Sequence, residues 1–292
     1  MDAPKVEYST PKTMREACLL SSRYKKRAVI AAGGTDLVLD IKHQKIRPGH
    51  IINIKGITGK DYIIHDEKDG LRIGPLTTIH AIETSPVIRE KFAVLAHAAG
   101  KLGTWQVRNK ATIAGNLCHA SPSAETVPAL IVLGAEAKVM KAEGERTVLI
   151  ENFFTGPGQT VLKPGEILTE IRVPNSPPMS SGVYLKHTLR KALDLAIAGV
   201  AVIISMDGDV LSDVKIALGA VAPTAIRAKK AEAILRGKKF SNDLLQKAGE
   251  IASTECNPID DVRSSAQYRC KMVNILVVRA VKEALEQIKM AS

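Results

Sequence analysis

The alternation of apolar and polar positions in the first 56 residues predicts a unit of three strands and two helices. A strand around "KVEYS" precedes a helix around "TMREACLLSSRY", which starts behind Thr10-Pro11. The apolar run "AVIAA" stops at Gly33-Gly34, and the helical pattern "DLVLDIKHQ" and the strand "HIINI" follow. A glycine corner between a strand and a helix is typical of turns that bind phosphate, although it also serves as a plain turn.

A second unit extends from Ile57 to about residue 175. A hairpin is predicted from "DYIIHDE" and "GLRIG", which are joined by a short turn that ends in Gly70. Helical patterns follow in "TTIHAIETS" and "IREKFAVLAHAAGKLG". The next stretch, "WQVRNKATIAGNLCHASPSAETVPALIVLGAEAKVM", predicts a loop, a buried helix near residues 124–133 and a strand.

The clearest linker is "PNSPPMSSG" at residues 174–182, which is rich in Pro, Ser and Gly. Three strands are predicted behind it, "GVYLKHTL", "LAIAGVAVIISM" and "VLSDVKIALGAV", with a turn at Asp207-Gly208-Asp209. From Ile226 onward the pattern is helical. We therefore predict an α+β protein with an N-terminal domain over residues 1–175, divided into sub-folds 1–56 and 57–175. Residues 176–292 form the predicted C-terminal domain, a three-stranded antiparallel sheet with a helical bundle.

Composition narrows the possible functions. The 292 residues are 45% hydrophobic and 24% charged, as in an ordinary globular protein. No apolar run approaches the roughly 20 residues of a membrane span, and the N-terminus lacks the apolar core of a signal peptide, so we expect a cytoplasmic location. The four cysteines form no C-x-x-C pair, which argues against structural zinc, a disulfide framework and an iron–sulfur cluster in this chain.

The chain is basic, with 41 lysines and arginines against 30 acidic residues and a net charge of +11. Such an excess is compatible with nucleic-acid binding. However, the basic residues are spread along the chain, and only 3% of residues are aromatic, which leaves little for base stacking. We therefore expect solvated surfaces or a docking surface and no nucleic-acid partner.

A second stretch of small residues strengthens the phosphate interpretation of the glycine corner. "RNKATIAGNLCHASPSAET" supplies Thr112, Gly115 and Asn116 in a predicted loop. Main chain without side chains can approach a phosphate closely, and the unpaired N–H groups at a helix start favour the negative charge. One such loop suits one phosphate, whereas two suit a diphosphate held between them.

These two motifs carry a resemblance to a known family. "AAGGTDLVLDIK" and "WQVRNKATIAGNLCHASPSAETVPALIVLGA" closely resemble the FAD-binding medium subunit of the molybdenum hydroxylases, which include xanthine dehydrogenase and aerobic carbon monoxide dehydrogenase. The resemblance continues in "YLKHTLRKALDLAIAGVA", "ALGAVAPTAIRAKKAE" and "DDVRSSAQYRCKMVNILVVRAV", so it covers nearly the whole chain.

The resemblance implies a two-lobed N-terminal domain of the vanillyl-alcohol-oxidase-like (PCMH) type with FAD between the lobes. Glu125 matches a position usually held by Asp and is implied to face the adenosine ribose; an acid that favours the helix dipole is the alternative. Ala114 stands where Gly is commoner, which is tolerated unless its φ is positive. The residues implied to grip the diphosphate are Ala32, Gly33, Gly34, Thr35 and Asp36 in the first corner and Thr112, Ala114, Gly115 and Asn116 in the second.

The strand at 183–190 is implied to line the cleft of the flavin ring. Its period of two places Tyr184 and Lys186 on one face, and both are candidates to contact or face the ring. A lysine there would stabilise negative charge on the reduced ring. The alternative is the solvated face of an antiparallel sheet.

The family pattern implies an electron-transfer subunit with no catalytic residues for substrate and no metal of its own. A large molybdopterin subunit would oxidise the substrate, and a small subunit with two 2Fe–2S clusters would deliver the electrons. The flavin would pass them to an external acceptor, namely NAD, a quinone, ferredoxin or oxygen. The alternative is a stand-alone FAD-dependent reductase of the type that acts on cell-wall precursors.

Overall fold

The structure is a computed structural model that describes residues 6–190 and 193–291, so Lys5 of the first predicted strand lies outside it. The first sheet has three parallel strands in the order β1-β3-β2. Its strands therefore all end at one edge, where the glycine corner lies. The elements are β1 (Glu7–Ser9), α1 (Met14–Tyr24), β2 (Ala28–Ala31), α2 (Leu37–Lys42) and β3 (His50–Asn53).

The second sheet has five antiparallel strands in the order β4-β5-β10-β6-β7, and a separate two-stranded ribbon joins β8 and β9. Its elements are β4 (Ile63–Asp66), β5 (Gly70–Ile73), α3 (Ile79–Thr84), α4 (Pro86–Lys91), α5 (Ala93–Gly100), α6 (Trp105–Arg108), α7 (Ile113–His119), α8 (Thr126–Val132), β6 (Glu136–Lys141), β7 (Gly144–Leu149), β8 (Phe154–Gly156), β9 (Gln159–Thr160) and β10 (Ile167–Val173).

The third sheet is antiparallel and has four strands in the order β11-β12-β13-β14, rather than the three predicted. The additional strand is only two residues long and pairs with the end of its neighbour, so it shows no periodicity in the sequence. The elements are β11 (Ser180–His187), β12 (Ala198–Asp207), β13 (Val210–Gly219), β14 (Ile226–Arg227), α9 (Lys229–Leu235), α10 (Asn242–Thr254) and α11 (Ala266–Ala291).

The third sheet is buried on both faces, and this fixes the direction of its side chains. Val183 on β11 packs in one core with α9, α10 and α11, whereas Tyr184 packs in the core that contains α5 and α8. A Cβ on Gly219 of β13 would lie only 2.8 Å from Pro128 Cγ on α8. The face of β11 that carries Tyr184 and Lys186 therefore points toward the N-terminal part of the chain and not toward solvent.

The predicted α+β class is confirmed, and the main departures from the predicted elements are local. The helical pattern at 88–103 is two helices that meet at Phe92, and the stretch from Ile226 contains β14 and an irregular segment at 255–265. The domain division at residue 175 stays a prediction, supported by the end of β10 at Val173 and the start of β11 at Ser180. Within the described residues, no helix is both long and apolar enough to cross a membrane.

Candidate functional site

The first corner, residues 32–36, presents unpaired backbone donors. Gly34 has φ of 75°, a left-handed conformation that favours glycine, and α2 begins three residues later. Asp36 makes no capping hydrogen bond through its side chain. Within the described part of the chain, no acceptor bonds the N–H groups of Gly33, Gly34, Thr35 or Asp36. Successive free amides in a turn form a concavity that suits an anion.

The second corner, residues 112–116, is a capped helix start rather than the predicted loop. Thr112 is the N-cap of α7, and its Oγ1 accepts from Gly115 N at 3.1 Å. The N–H groups of Ile113 and Ala114 donate to the carbonyls of Thr77 and Pro75 at 3.0 and 3.4 Å. Within the described residues, the N–H groups of residues 113–116 are therefore all taken, and only the Thr112 N–H and the side chains of this corner are left to bind an anion.

Asn116 is the side chain that the second corner can offer. Its Oδ1 accepts from Thr126 Oγ1 on α8 at 2.6 Å. This bond fixes the orientation of the amide and leaves its NH₂ group without an acceptor among the described residues. Ala114 is buried and is not among the residues with positive φ, so the methyl group in place of a glycine is tolerated, as predicted.

The main chain of the first corner touches the residues directly before the second corner. A Cβ on Gly33 would lie 2.1 Å from the carbonyl oxygen of Lys110 and 3.0 Å from Ala111 Cα. This close approach leaves no room for a side chain at position 33 and is reason enough for a glycine there. His119 at the end of α7 adds a second link, with its ring nitrogens 3.8 Å from the carboxylate of Asp36 and 3.9 Å from that of Asp40.

Glu125 and Lys186, which were predicted at opposite ends of the cofactor, bond directly to each other. Lys186 Nζ lies 2.7 Å from Glu125 Oε1, and it also donates to the carbonyls of Lys101 at 3.0 Å and Asp194 at 2.6 Å. All three ammonium donors are thus used. The two side chains form one buried unit, and the placement of Glu125 at the ribose and Lys186 at the ring stays a prediction.

Burial dominates the electrostatics of this unit. The side chains of Glu125 and Lys186 are 6% and 7% exposed. Burial raises the pKa of Glu125 above its ordinary value, while the neighbouring ammonium group opposes that shift. Tyr184, on the same face of β11, is also buried, and burial together with the Glu125 carboxylate raises its pKa well above 10.0. The solvated-face alternative is therefore wrong for Tyr184 and Lys186.

The predicted site residues come together at one junction between the three sheets. The first corner follows β2 of the first sheet, the second corner and Glu125 lie between β5 and β6 of the second sheet, and Lys186 is on β11 of the third. Asn116 connects the second corner to α8, which begins behind Glu125. Free amides, an amide NH₂ group and a buried acid–base pair suit a ligand with both phosphates and hydroxyl or ring groups. These features fit the FAD that the sequence predicts.

Comparisons with known proteins agree with this assignment. The family described as "FAD binding domain in molybdopterin dehydrogenase" matches residues 4–176, and the "CO dehydrogenase flavoprotein C-terminal domain" matches residues 183–284. The medium chain of carbon monoxide dehydrogenase from Hydrogenophaga pseudoflava is 34% identical, over 97% of this chain and 98% of its own length. The glyceraldehyde dehydrogenase medium chain of Sulfolobus acidocaldarius is 32% identical over 97% of this chain and 99% of its own.

The fold is shared with solved structures over the whole chain. A chain of the carbon monoxide dehydrogenase from Hydrogenophaga pseudoflava, in a form that lacks the Mo-pyranopterin moiety of its cofactor, superimposes with a TM-score of 0.94 at 35% identity. The match covers 98% of this chain and 99% of that chain. Quinoline 2-oxidoreductase from Pseudomonas putida 86 gives a TM-score of 0.91 at 25% identity and covers 99% of both chains.

Proposed function

The chain belongs to the FAD-binding medium subunits of the molybdenum hydroxylase family, and we propose that it passes electrons from iron–sulfur clusters to an external acceptor. Membership in this family confirms FAD, the cofactor predicted from the sequence, and sets aside the stand-alone reductase of cell-wall precursors. The observation that carries the proposal is the set of four backbone amides at the first corner that have no acceptor among the described residues, next to the main chain that leads into the second corner.

The first corner is proposed to bind the FAD diphosphate through the N–H groups of Gly33, Gly34, Thr35 and Asp36. Backbone amides bind phosphate without the entropy loss of ordering a long side chain. Ala32 leads the chain from β2 into this corner. Across the contact at Lys110, the Asn116 NH₂ group is the proposed donor of the second corner, while Thr112 and Gly115 hold its backbone in place.

Glu125, Tyr184 and Lys186 are proposed to form the wall of the site where the third sheet meets α8. Lys186 supplies a positive charge, and the three hydrogen bonds of its ammonium group hold that charge in one position when a ligand binds. Tyr184 fills the core behind the pair and excludes water from it. FAD, when bound, supplies the ability to exchange electrons singly and in pairs.

The partners are proposed to be a large molybdopterin subunit and a small subunit with two 2Fe–2S clusters. The relatives are described as the medium chains of dehydrogenases, and one is the medium subunit of nicotine 6-hydroxylase from Paenarthrobacter nicotinovorans. Within the described residues no group of three or more metal-binding side chains occurs, so the clusters are proposed to lie on a partner. The acceptor is NAD, a quinone, ferredoxin or oxygen, and a cytoplasmic location remains a prediction.

The experiment compares the chain alone with the chain produced together with its large and small subunits. The isolated chain is expected to bind FAD and to reduce no dye with purines, aldehydes or carbon monoxide. Dye reduction is expected only when both partners are present. Substrate-dependent dye reduction by the isolated chain overturns the proposal that it only passes on electrons from its partners. Release of FMN instead of FAD on heating contradicts the diphosphate site.

A further inference from the structure

Arg263, in the segment that leads into α11, and Arg269, in the first turn of α11, share one carboxylate. Asp261 accepts from Arg263 Nη2 at 2.6 Å and Nε at 3.0 Å, and from Arg269 Nη2 at 2.6 Å. The hydrogen bond from Arg263 holds the pKa of Asp261 well below its usual range. Arg269 is 1% exposed, although it lies at the start of a helix whose neighbouring residues reach solvent. Asp261, Arg263 and Arg269 are called the arginine clasp below.

Both arginines of the clasp reach the segment that enters β12. Arg269 Nη1 donates to the carbonyl of Ile197 at 2.8 Å, and Arg263 Nη1 donates to the adjacent carbonyl of Ala196 at 3.4 Å. This segment follows Asp194 directly. The carbonyl of Asp194 receives one of the three hydrogen bonds of the Lys186 ammonium group. The clasp therefore holds the chain directly behind a hydrogen-bond partner of Lys186.

The same two arginines also reach the segment that enters α8. Arg263 Nη1 lies 3.4 Å from Ser123 Oγ. Arg269 Nη1 donates to the carbonyl of Ala220 at 3.2 Å, and the N–H of Ala220 donates to the carbonyl of Pro122 at 2.8 Å. The two routes end at adjacent residues, 122 and 123, and Glu125 follows two residues later.

We propose that the arginine clasp positions the Glu125–Lys186 pair for the flavin, so that Arg263 and Arg269 act as positioning residues for the cofactor. The clasp fixes both flanks of the pair, the segment before Glu125 and the segment after Asp194. A planar guanidinium can hold a carboxylate and a carbonyl at the same time, and two arginines around one acid give both segments a common reference point. This inference rests on the proposed function, because it requires FAD to bind beside the pair.

Arg263→Met removes one arm of the clasp and leaves no buried charge unpaired, because Asp261 and Arg269 still bond to each other at 2.6 Å. We expect a rise of about tenfold in the FAD dissociation constant, measured by titration of flavin fluorescence, and a shift in the visible absorption bands of the bound flavin. Arg263→Lys keeps the charge but not the planar fork, and an intermediate effect is expected. The double variant Ser123→Ala/Arg263→Met should weaken FAD binding by less than the sum of the two single losses in binding free energy, because the two side chains contact each other.

Arg236→Met is the matched control. Arg236 bonds Asp213 at 3.0 Å and the carbonyl of Val214 at 3.0 Å, away from residues 122–123 and 196–197. We expect it to lower the melting temperature of the FAD-free chain about as much as Arg263→Met, with no change in FAD affinity or spectrum. A folded Arg263→Met chain with the wild-type constant and spectrum overturns the clasp alone. A wild-type chain that binds no FAD overturns the proposed function and the clasp together.

Discussion

The first corner (residues 32–36) and the second corner (residues 112–116) resemble each other in sequence and differ in hydrogen bonding. Each contains small residues in front of a short helix, and each carries a threonine or aspartate at the helix start. At the first corner the capping position makes no side-chain hydrogen bond to any described residue, and four amides have no acceptor among those residues. At the second corner Thr112 caps the helix, and carbonyls from the preceding segment take the next amides.

A helix start can offer its backbone N–H groups to an anion only where no other acceptor has taken them. The positive end of the helix dipole is present at both corners, but among the described residues only the first corner has four successive N–H groups without an acceptor. The backbone of the first corner and the side chains of the second corner therefore contribute to the proposed site in different ways, and substitutions can separate them.

The largest effect, on the free energy of unfolding, is expected from Lys186→Met, which breaks the side-chain pair at the wall of the site. The substitution leaves Glu125 buried without its cation, and the loss of one partner of a buried ion pair lowers the free energy of unfolding by about 3–5 kcal/mol. Urea unfolding of the FAD-free chain measures this loss of stability. The double variant Glu125→Gln/Lys186→Met should recover most of the loss, and a double variant as unstable as Lys186→Met contradicts the pair.

Gly34→Val tests the backbone of the first corner. The new side chain has room, since its Cβ would lie 3.7 Å from Val38, but it has to adopt a φ of 75°. A strained residue of this kind costs about 1–3 kcal/mol of stability or shifts the corner, and we expect the bound FAD to be lost. Flavin content after gel filtration is the measurement. Gly237→Val, at φ of 73° with open space around it, should show similar strain and keep its flavin.

Asn116→Asp tests the proposed donor of the second corner. The carboxylate can still accept from Thr126, so the melting temperature of the FAD-free chain should stay unchanged. The lost NH₂ donor and the added negative charge should weaken FAD binding by about 1.5–3 kcal/mol. A titration of flavin fluorescence decides, and an unchanged dissociation constant removes Asn116 from the site.

Thr112→Ala should have a smaller effect, on stability more than on binding. It removes the cap of α7, which costs about 1 kcal/mol, and frees the Gly115 amide. Thermal unfolding of the FAD-free chain measures the loss. Ser241→Ala, at the N-cap of α10, is the comparison for a cap outside the site, and it should cost about the same with no effect on FAD.

The smallest effect is expected from acid acting on the arginine clasp. The pKa of Asp261 is lowered in the folded chain, chiefly by the hydrogen bond from Arg263, so the unfolded chain takes up this proton first as the pH falls. The stabilisation is complete above about pH 4 and is lost as the pH falls further. Solvent reaches the carboxyl and limits the effect. Urea unfolding at pH 6 and pH 3.5 should show a smaller pH-dependent loss for Asp261→Asn than for the wild type.

The sequence by itself determined the elements whose signals are local. The run from β2 through Gly34 into α2, the hairpin of β4 and β5 and the turn at Gly208 between β12 and β13 were all predicted. In each, a period of two or of 3.6 residues ends at a glycine, so a few neighbouring residues suffice. The first of these elements, together with the stretch at residues 105–135, carried the resemblance to the family and therefore the prediction of FAD.

The tertiary structure alone decided which donors of the site are free. The seven residues of α7 are too few for a clear period, and its first amides are taken by Pro75 and Thr77, which no local pattern connects to it. The period of two on β11 predicted that Tyr184 and Lys186 share a face, but not that this face is buried.

Contacts between distant charged residues could not be predicted from the sequence either. Glu125 and Lys186 lie 61 positions apart, and Arg269 reaches a carbonyl 72 positions away. Their alignment depends on how the third sheet packs against α8, because a charged group is buried only where the folded chain brings its partner within hydrogen-bond distance. Local chemistry thus determined the corners and the cofactor, whereas the packing of distant segments determined which atoms remain available to bind it.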